Sequence, residues 1–183
     1  MFRPALHTRF ALIILVSTGA TALVAATPAV AAPSVSHVAA ASCSTARLPL
    51  PDSSCTPGAT NPDVTRDTID QTICVSGWTS TVRPPTSYTN PLKVKQIAEY
   101  GYADTSTADY EEDHLIPLEL GGAPRDPHNL WPEPHAGSKN SFSKDSVENA
   151  LKKAVCNGQV NLAAAQNAIA TDWITAKSVV GIG

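Results

Sequence analysis

The chain has 183 residues, of which 43% are hydrophobic and 16% charged, and its 13 Lys and Arg against 16 Asp and Glu give a formal charge of −3. That length suits one compact domain, and the acidic balance argues against a protein that holds nucleic acid by bulk charge alone. No internal repeat occurs, and no His-Glu-x-x-His, Walker loop or Gly-x-Gly-x-x-Gly supports a peptidase or a nucleotide-cofactor enzyme.

Residues 1–31 have the pattern of a secretory signal. Arg3, His7 and Arg9 precede the apolar run Phe10 to Val16, which continues through Ala20 to Ala26. Ala29-Val30-Ala31 then satisfies the small-x-small rule, which predicts cleavage after Ala31 or Ala32. Ser17, Thr18, Gly19 and Thr21 interrupt the apolar core and no stop-transfer segment follows, so a membrane anchor is the weaker reading. The expected product is a secreted, extracellular protein with no stable membrane association. Removing Arg3 and Arg9 with no acidic residue takes the formal charge from −3 to −5. Against that net figure, Arg125, Lys139, Lys144, Lys152 and Lys153 crowd one segment and make it locally basic.

Residues 32–60 are rich in Ala, Ser, Pro and Thr without helical or strand periodicity, which predicts a flexible leader to a single domain over 61–183. Cys43, Cys55, Cys74 and Cys156 contain no Cys-x-x-Cys pair, so in an exported chain they predict disulfides over a zinc cluster. Three connectivities exist for four cysteines; we favour Cys74 with Cys156 and Cys43 with Cys55.

Thr72 to Val82 carries the β-branched and aromatic content of one or two short strands, stopped by Arg83-Pro84-Pro85. A helix follows, with Pro91 in its first turn, Leu92, Gln96 and Tyr100 at four-residue spacing beside Ile97, and Gly101 at its end. Leu115 to Leu120 is expected as an apolar strand, Gly121 to Pro127 as a loop, and Asn129-Leu130-Trp131 as a second strand ended by Pro132 and Pro134. Val147, Leu151 and Val155 mark a helix face, joined by Phe142 at its start and closed by Asn157-Gly158. Asn161 caps a last helix that buries Leu162, Ala165, Ile169 and Trp173. Trp131, Trp78 and Trp173 are expected as core anchors, Glu111 and Glu112 as solvated residues ahead of a strand, and Glu133 as a turn or cleft-edge residue.

Asp113-His114 is the pair with chemistry in it. A carboxylate is a hard oxygen ligand for a divalent cation, and a neutral imidazole with an ordinary pKa near about 6.5 takes a proton from water. Adjacent strand residues point to opposite faces, so both reach one cavity only if the chain bends there.

Glu112 to Leu118, Gly121-Gly122 and Asn129-Leu130 together resemble the HNH endonucleases of ββα-metal fold. The likeness is strongest to small secreted actinobacterial-type members with Glu-Asp-His-Leu, Asn-Leu-Trp-Pro-Glu-Pro and a Lys-Asp-x-x-Glu helix start. Those motifs stand here as Glu112 to Leu115, Asn129 to Pro134, and Lys144 to Glu148. The resemblance implies an α+β fold with a hairpin-plus-helix core, additional helices and a short N-terminal β region. It implies that Asp113 binds the metal, His114 activates water, and Asn129 holds the loop that orients the histidine. The family's next ligand position lands near Ser138 and finds none; Asn140, Asp145 and Glu148 are the candidate replacements, ranked ahead of His135. Lys144, Arg125 and Lys139 are expected to hold substrate phosphates; Arg83, with Tyr88 and Lys93, could frame one wall of a substrate groove, but nothing in the spacing demands it and the region before residue 105 is read as mostly structural. The implied cofactor is Mg²⁺ or Mn²⁺, with Zn²⁺ behind them, and the implied substrate nucleic acid, DNA ahead of RNA, cut to 5′-phosphate and 3′-hydroxyl ends. Two alternatives stand beside it: a catalytically inactive secreted binding module on the same scaffold, and a hydrolase of some other phosphoester.

Overall fold

The computed structural model describes residues 42–183, so the expected signal and residues 32–41 lie outside the described residues. The chain is α+β: five α-helices and one two-stranded antiparallel sheet among those residues. The order is α1 (Trp78–Val82), α2 (Thr86–Tyr100), β1 (Tyr110–His114), β2 (Leu130–Pro134), α3 (Ser141–Cys156), α4 (Leu162–Asp172) and α5 (Ala176–Val179).

The hairpin differs in register from the sequence expectation. Its first strand is Tyr110–His114, pairing Tyr110 with Pro134 and His114 with Leu130, while Leu115 to Leu120 lies beyond it and ends in a 3-10 turn. Leu115, Ile116, Leu118 and Leu120 are all buried without strand partners, because Pro117 withholds a donor and the turn sinks their side chains into the core directly. The second strand runs through Pro132 and Pro134 instead of stopping at them. Both prolines occupy alternate pairing positions of a two-stranded sheet, opposite Glu112 and Tyr110, where an inward N–H is not demanded. The Pro132 carbonyl accordingly faces outward and accepts from the Tyr102 hydroxyl at 3.0 Å.

Strands are also absent from Thr72 to Val82, which forms turns and α1. Gly77 adopts φ of +80°, and the Ser80 and Thr81 hydroxyls bond back to the Gly77 and Trp78 carbonyls, so local side-chain bonding displaces the extended form. Helix α2 starts at Thr86, five residues before Pro91, which sits on an exposed face and costs one backbone bond. Gly101 ends it in the left-handed conformation, as the spacing predicts.

Residues 42–60 are not a free leader. The Gly58 amide donates to His128 O, the Ala123 amide to Ala59 O, and Thr60 bridges Gly122, so this segment is laid against the connection between the strands. The disulfides are Cys43–Cys55 and Cys74–Cys156, the favoured pairing. The first closes the N-terminal loop and the second ties the segment before α1 to the end of α3. Helices α3, α4 and α5 close over a core containing Ile73, Leu120, Leu151, Ala165, Ile169 and Trp173. Asn161 caps α4 by accepting from the Ala163 amide at 2.9 Å. Phe142 does not join the buried face of α3 and is 63% exposed. No helix among the described residues is long and apolar enough to cross a membrane.

Candidate functional site

Strand β1 ends at His114, and the chain then turns inward through the buried Leu115 and Ile116. Wholly buried Asn129 holds that bend. Its Oδ1 accepts from the Ile116 amide at 2.9 Å, and its Nδ2 donates to the carbonyls of Ile116 at 2.9 Å and Ala123 at 3.2 Å. The far side of the loop is packed so tightly that a Cβ on Gly122 would lie 1.7 Å from Ile116 O. The neighbouring Gly121 has φ of +73°, and a Cβ there would meet Val64 at 2.5 Å. Two glycines and one carboxamide thus fix the loop that carries Pro124.

Pro124 orients the histidine. His114 Nε2 lies 3.0 Å from the Pro124 carbonyl oxygen, which can only accept, so Nε2 carries the proton and Nδ1 keeps its lone pair. Burial lowers the imidazole pKa against the opposing pull of Asp113, which keeps the ring neutral at neutral pH.

Behind this pair lies a buried ion cluster. Lys144 on α3 has no exposed side-chain surface; its Nζ donates to Asp113 Oδ2 at 2.5 Å, to His114 O at 2.8 Å and to Glu148 Oε1. Burial works against the ammonium charge, yet the surrounding Asp113, Glu148 and Glu133 carboxyls raise its pKa. Burial likewise opposes ionisation of Asp113, but the adjacent ammonium outweighs it and holds that carboxyl below the usual range. Glu133, 1% exposed on β2, is pushed up to about 10 by burial and by the Asp113 charge, so it is a neutral acid beside an ionised one. Glu148 is raised by burial.

Asp113 and His114 both line one cavity of about 200 Å³, although both lie within the regularly paired end of β1. Glu111 and Asp113 contribute from β1, Asp145, Glu148 and Asn149 from α3, Glu119 from the 3-10 turn, and Thr79 and Arg83 from α1 and its end. The walls are almost entirely polar. Asn149 Nδ2 is taken by the Asp145 carbonyl at 2.8 Å, which orients its carboxamide. A larger, more apolar groove of about 430 Å³ along α4 and α5 contains none of the residues expected at the site.

Several expected site residues lie elsewhere. Lys144 cannot hold a substrate phosphate, because it is buried and its three donors are used within the protein. Asn140 caps α3: its Oδ1 accepts from the Ser143 amide at 3.2 Å and its Nδ2 donates to the His135 and Gly137 carbonyls, leaving it committed to the helix start and not to a cation. Arg125 stacks over Tyr88, whose ring centroid lies 5.6 Å away, outside the cavity lining, and Lys139 is exposed in the turn before α3. Glu112 is not a solvated residue before a strand; it sits within β1 with both carboxyl oxygens shielded, and burial pushes it up to about 8. Asp145 and Glu148 reach the cavity together, Glu148 with one oxygen already committed to Lys144.

Arg83 is the exposed cation at this cavity, whereas Tyr88 and Lys93, grouped with it in the sequence, are outside the lining, the Tyr88 hydroxyl donating to Arg125 O and Lys93 Nζ to Thr107 O and Tyr110 O; Asn149 is the carboxamide on the α3 wall. Asn149 escaped the sequence reading, although it lies four positions beyond Asp145 on one helix face and that spacing could have found it. Among the described residues no group of three or more His, Cys, Asp or Glu converges as a metal-binding set. The hard oxygen donors in the cavity lining include the Asp113 and Asp145 carboxylates and the Asn149 carboxamide. That set suits Mg²⁺ or Mn²⁺, which keep several waters and take one or two carboxylates, better than Zn²⁺. Comparison with known proteins finds no matching family model, curated protein or solved structure.

Proposed function

We propose that the chain is a secreted, metal-dependent phosphodiesterase of HNH type that hydrolyses nucleic acid. The observation that carries this reading is the state of His114: its Nε2–H is bound to Pro124 O, and the ring lines the same cavity as the ionised Asp113. The β1–β2 hairpin followed by α3 has the element order of a ββα-metal core, which supports the same reading. Two disulfides fit an oxidising, extracellular setting.

In this mechanism the Nδ1 lone pair of His114 takes a proton from the water that attacks phosphorus. The Pro124 carbonyl holds the ring and stabilises the imidazolium as it forms, and the Asp113 carboxylate adds its charge to that stabilisation. Arg83 binds a non-bridging phosphate oxygen at the open side of the cavity, where no acid among the described residues is paired with it. Asp113 and Asp145 would hold a divalent cation, with Asn149 as the third oxygen donor. When bound, that cation supplies positive charge to the phosphate and to the departing 3′ oxygen. Lys144 keeps Asp113 ionised and anchors its carboxylate from behind.

The test is plasmid nicking by purified protein with Mg²⁺ or Mn²⁺. Activity lost with a chelator and in His114→Ala, with the melting temperature retained, is the expected result. Equal inertness of wild type and His114→Ala across metals, DNA, RNA and a bis-aryl phosphodiester would instead establish the second reading, a non-catalytic secreted module. One observation favours that second reading: the Lys144 ammonium already neutralises Asp113.

A further inference from the structure

Phe142, in the first turn of α3, is the one large aromatic side chain left exposed among the described residues. It is not loose: its ring stacks on His135, with centroids 5.2 Å apart and planes inclined by 18°. His135 is itself fixed, since its Nδ1 lies 2.8 Å from the hydroxyl of the buried Ser141 and its backbone amide donates to Asp109 O at 3.0 Å. The result is a two-ring stack, anchored through His135, whose outer member Phe142 is 63% exposed.

Its place matters. His135 follows β2 directly, opposite Asp109, so in strand alternation it continues the row of Glu111 and Glu133, and Glu111 lines the cavity. Phe142 lies three residues before Asp145 on α3, one turn along the same face, and Asp145 lines the opposite wall. His135 and Phe142 lie outside the cavity lining, but by strand register and helical spacing the stack neighbours Glu111 and Asp145, which do line it, Phe142 being about one helical turn from Asp145.

We infer that Phe142, backed by His135, is a stacking platform for a nucleobase of the strand whose phosphodiester enters the cavity, and that the preferred substrate is an unpaired or splayed strand. A nucleobase has the flat apolar face that Phe142 offers, and every base has one, so the platform adds affinity without reading sequence. A base inside a regular duplex has both faces covered by its neighbours and cannot use it. An acidic protein with a single exposed cation at its site also needs a source of affinity other than backbone charge. This inference rests on the nucleic-acid reading of the cavity and names the form of that substrate.

The test separates binding from hydrolysis. Fluorescence anisotropy is measured for a labelled single-stranded oligodeoxynucleotide, and for a wholly abasic strand of equal length, with His114→Ala protein in Mg²⁺. Adding Phe142→Ala is expected to weaken binding of the intact strand roughly tenfold, the scale of one lost base–aromatic contact, and Phe142→Trp to retain it. The abasic strand should bind weakly and be indifferent to Phe142. Equal affinity for the intact strand with and without the Phe142→Ala substitution, an equal loss on the abasic strand, or no binding of the intact strand overturns the platform. If wild type nicks plasmid while Phe142→Ala leaves binding of the intact single strand unchanged, the platform alone falls. If wild type is inert and the Phe142-dependent binding persists, hydrolysis falls and the platform stands.

Discussion

Lys144 and Asp113, thirty-one positions apart, form an ion pair of 2.5 Å in which the lysine has no solvent-exposed side-chain surface. A buried pair of this kind contributes little over an apolar replacement of both partners, but removal of one partner strands the other in a low-dielectric site. Lys144→Met should therefore cost about 3–5 kcal/mol, because Asp113 and Glu148 both lose their counter-ion. Urea unfolding checks this; a loss below about 1 kcal/mol would mean that water or proton uptake compensates.

Asn129 should matter twice. Asn129→Ala removes the bonds to Ile116 and Ala123 and leaves buried backbone groups unsatisfied, at about 1–3 kcal/mol. It also frees the loop that carries Pro124, so nicking should fall by more than the folded fraction does. Gly122→Ala should give the same phenotype through a different cause, since its Cβ would overlap Ile116 O. Normal activity in folded Gly122→Ala would show that the loop does not orient His114.

The two disulfides differ in the chain they close, 82 residues against 12. By loop-closure entropy the Cys74–Cys156 bridge contributes about 4–5 kcal/mol and Cys43–Cys55 about 3. The double substitution Cys74→Ala with Cys156→Ala should lower the melting temperature further than Cys43→Ala with Cys55→Ala. The reverse order in paired thermal melts would mean that native-state packing around Cys43 outweighs the loop entropy.

The pH profile follows from His114, whose folded pKa burial places below its ordinary value of 6.5. The unfolded chain then binds the proton more readily, so this group's contribution to stability is present above the unfolded pKa and is lost as pH falls through the folded one. Cation binding at Asp113 would push the imidazole the same way. Nicking should accordingly persist at pH 6.5 and fail only at lower pH; an acid limb centred above 6.5 would place the essential base elsewhere.

Much of the fold was legible where the signal was local. The Gly101 stop of α2, the Asn161 cap of α4 and the apolar face of α3 through Leu151 and Val155 each depend on residues within a turn or two. The β-branched run at Thr72 to Val82 misled for the converse reason: strand propensity needs a partner strand, and none lies beside it among the described residues. Leu115 to Leu120 misled similarly, because burial on every side makes an apolar run read as a strand whatever its backbone does.

Residue order alone accounts for the residue types at the site, the adjacency of Asp113 and His114, the helical spacing of Asp145 and Glu148, and the supply of four cysteines for bridging. Those are properties of neighbours along the chain. Packing in three dimensions made Lys144 a buried counter-ion instead of a phosphate contact, consumed Asn140 in a helix cap, and brought Arg83 to the cavity. Charge and hydrogen-bonding capacity are written in a side chain, but whether water, a backbone amide or a distant carboxylate takes them up depends on how the elements pack.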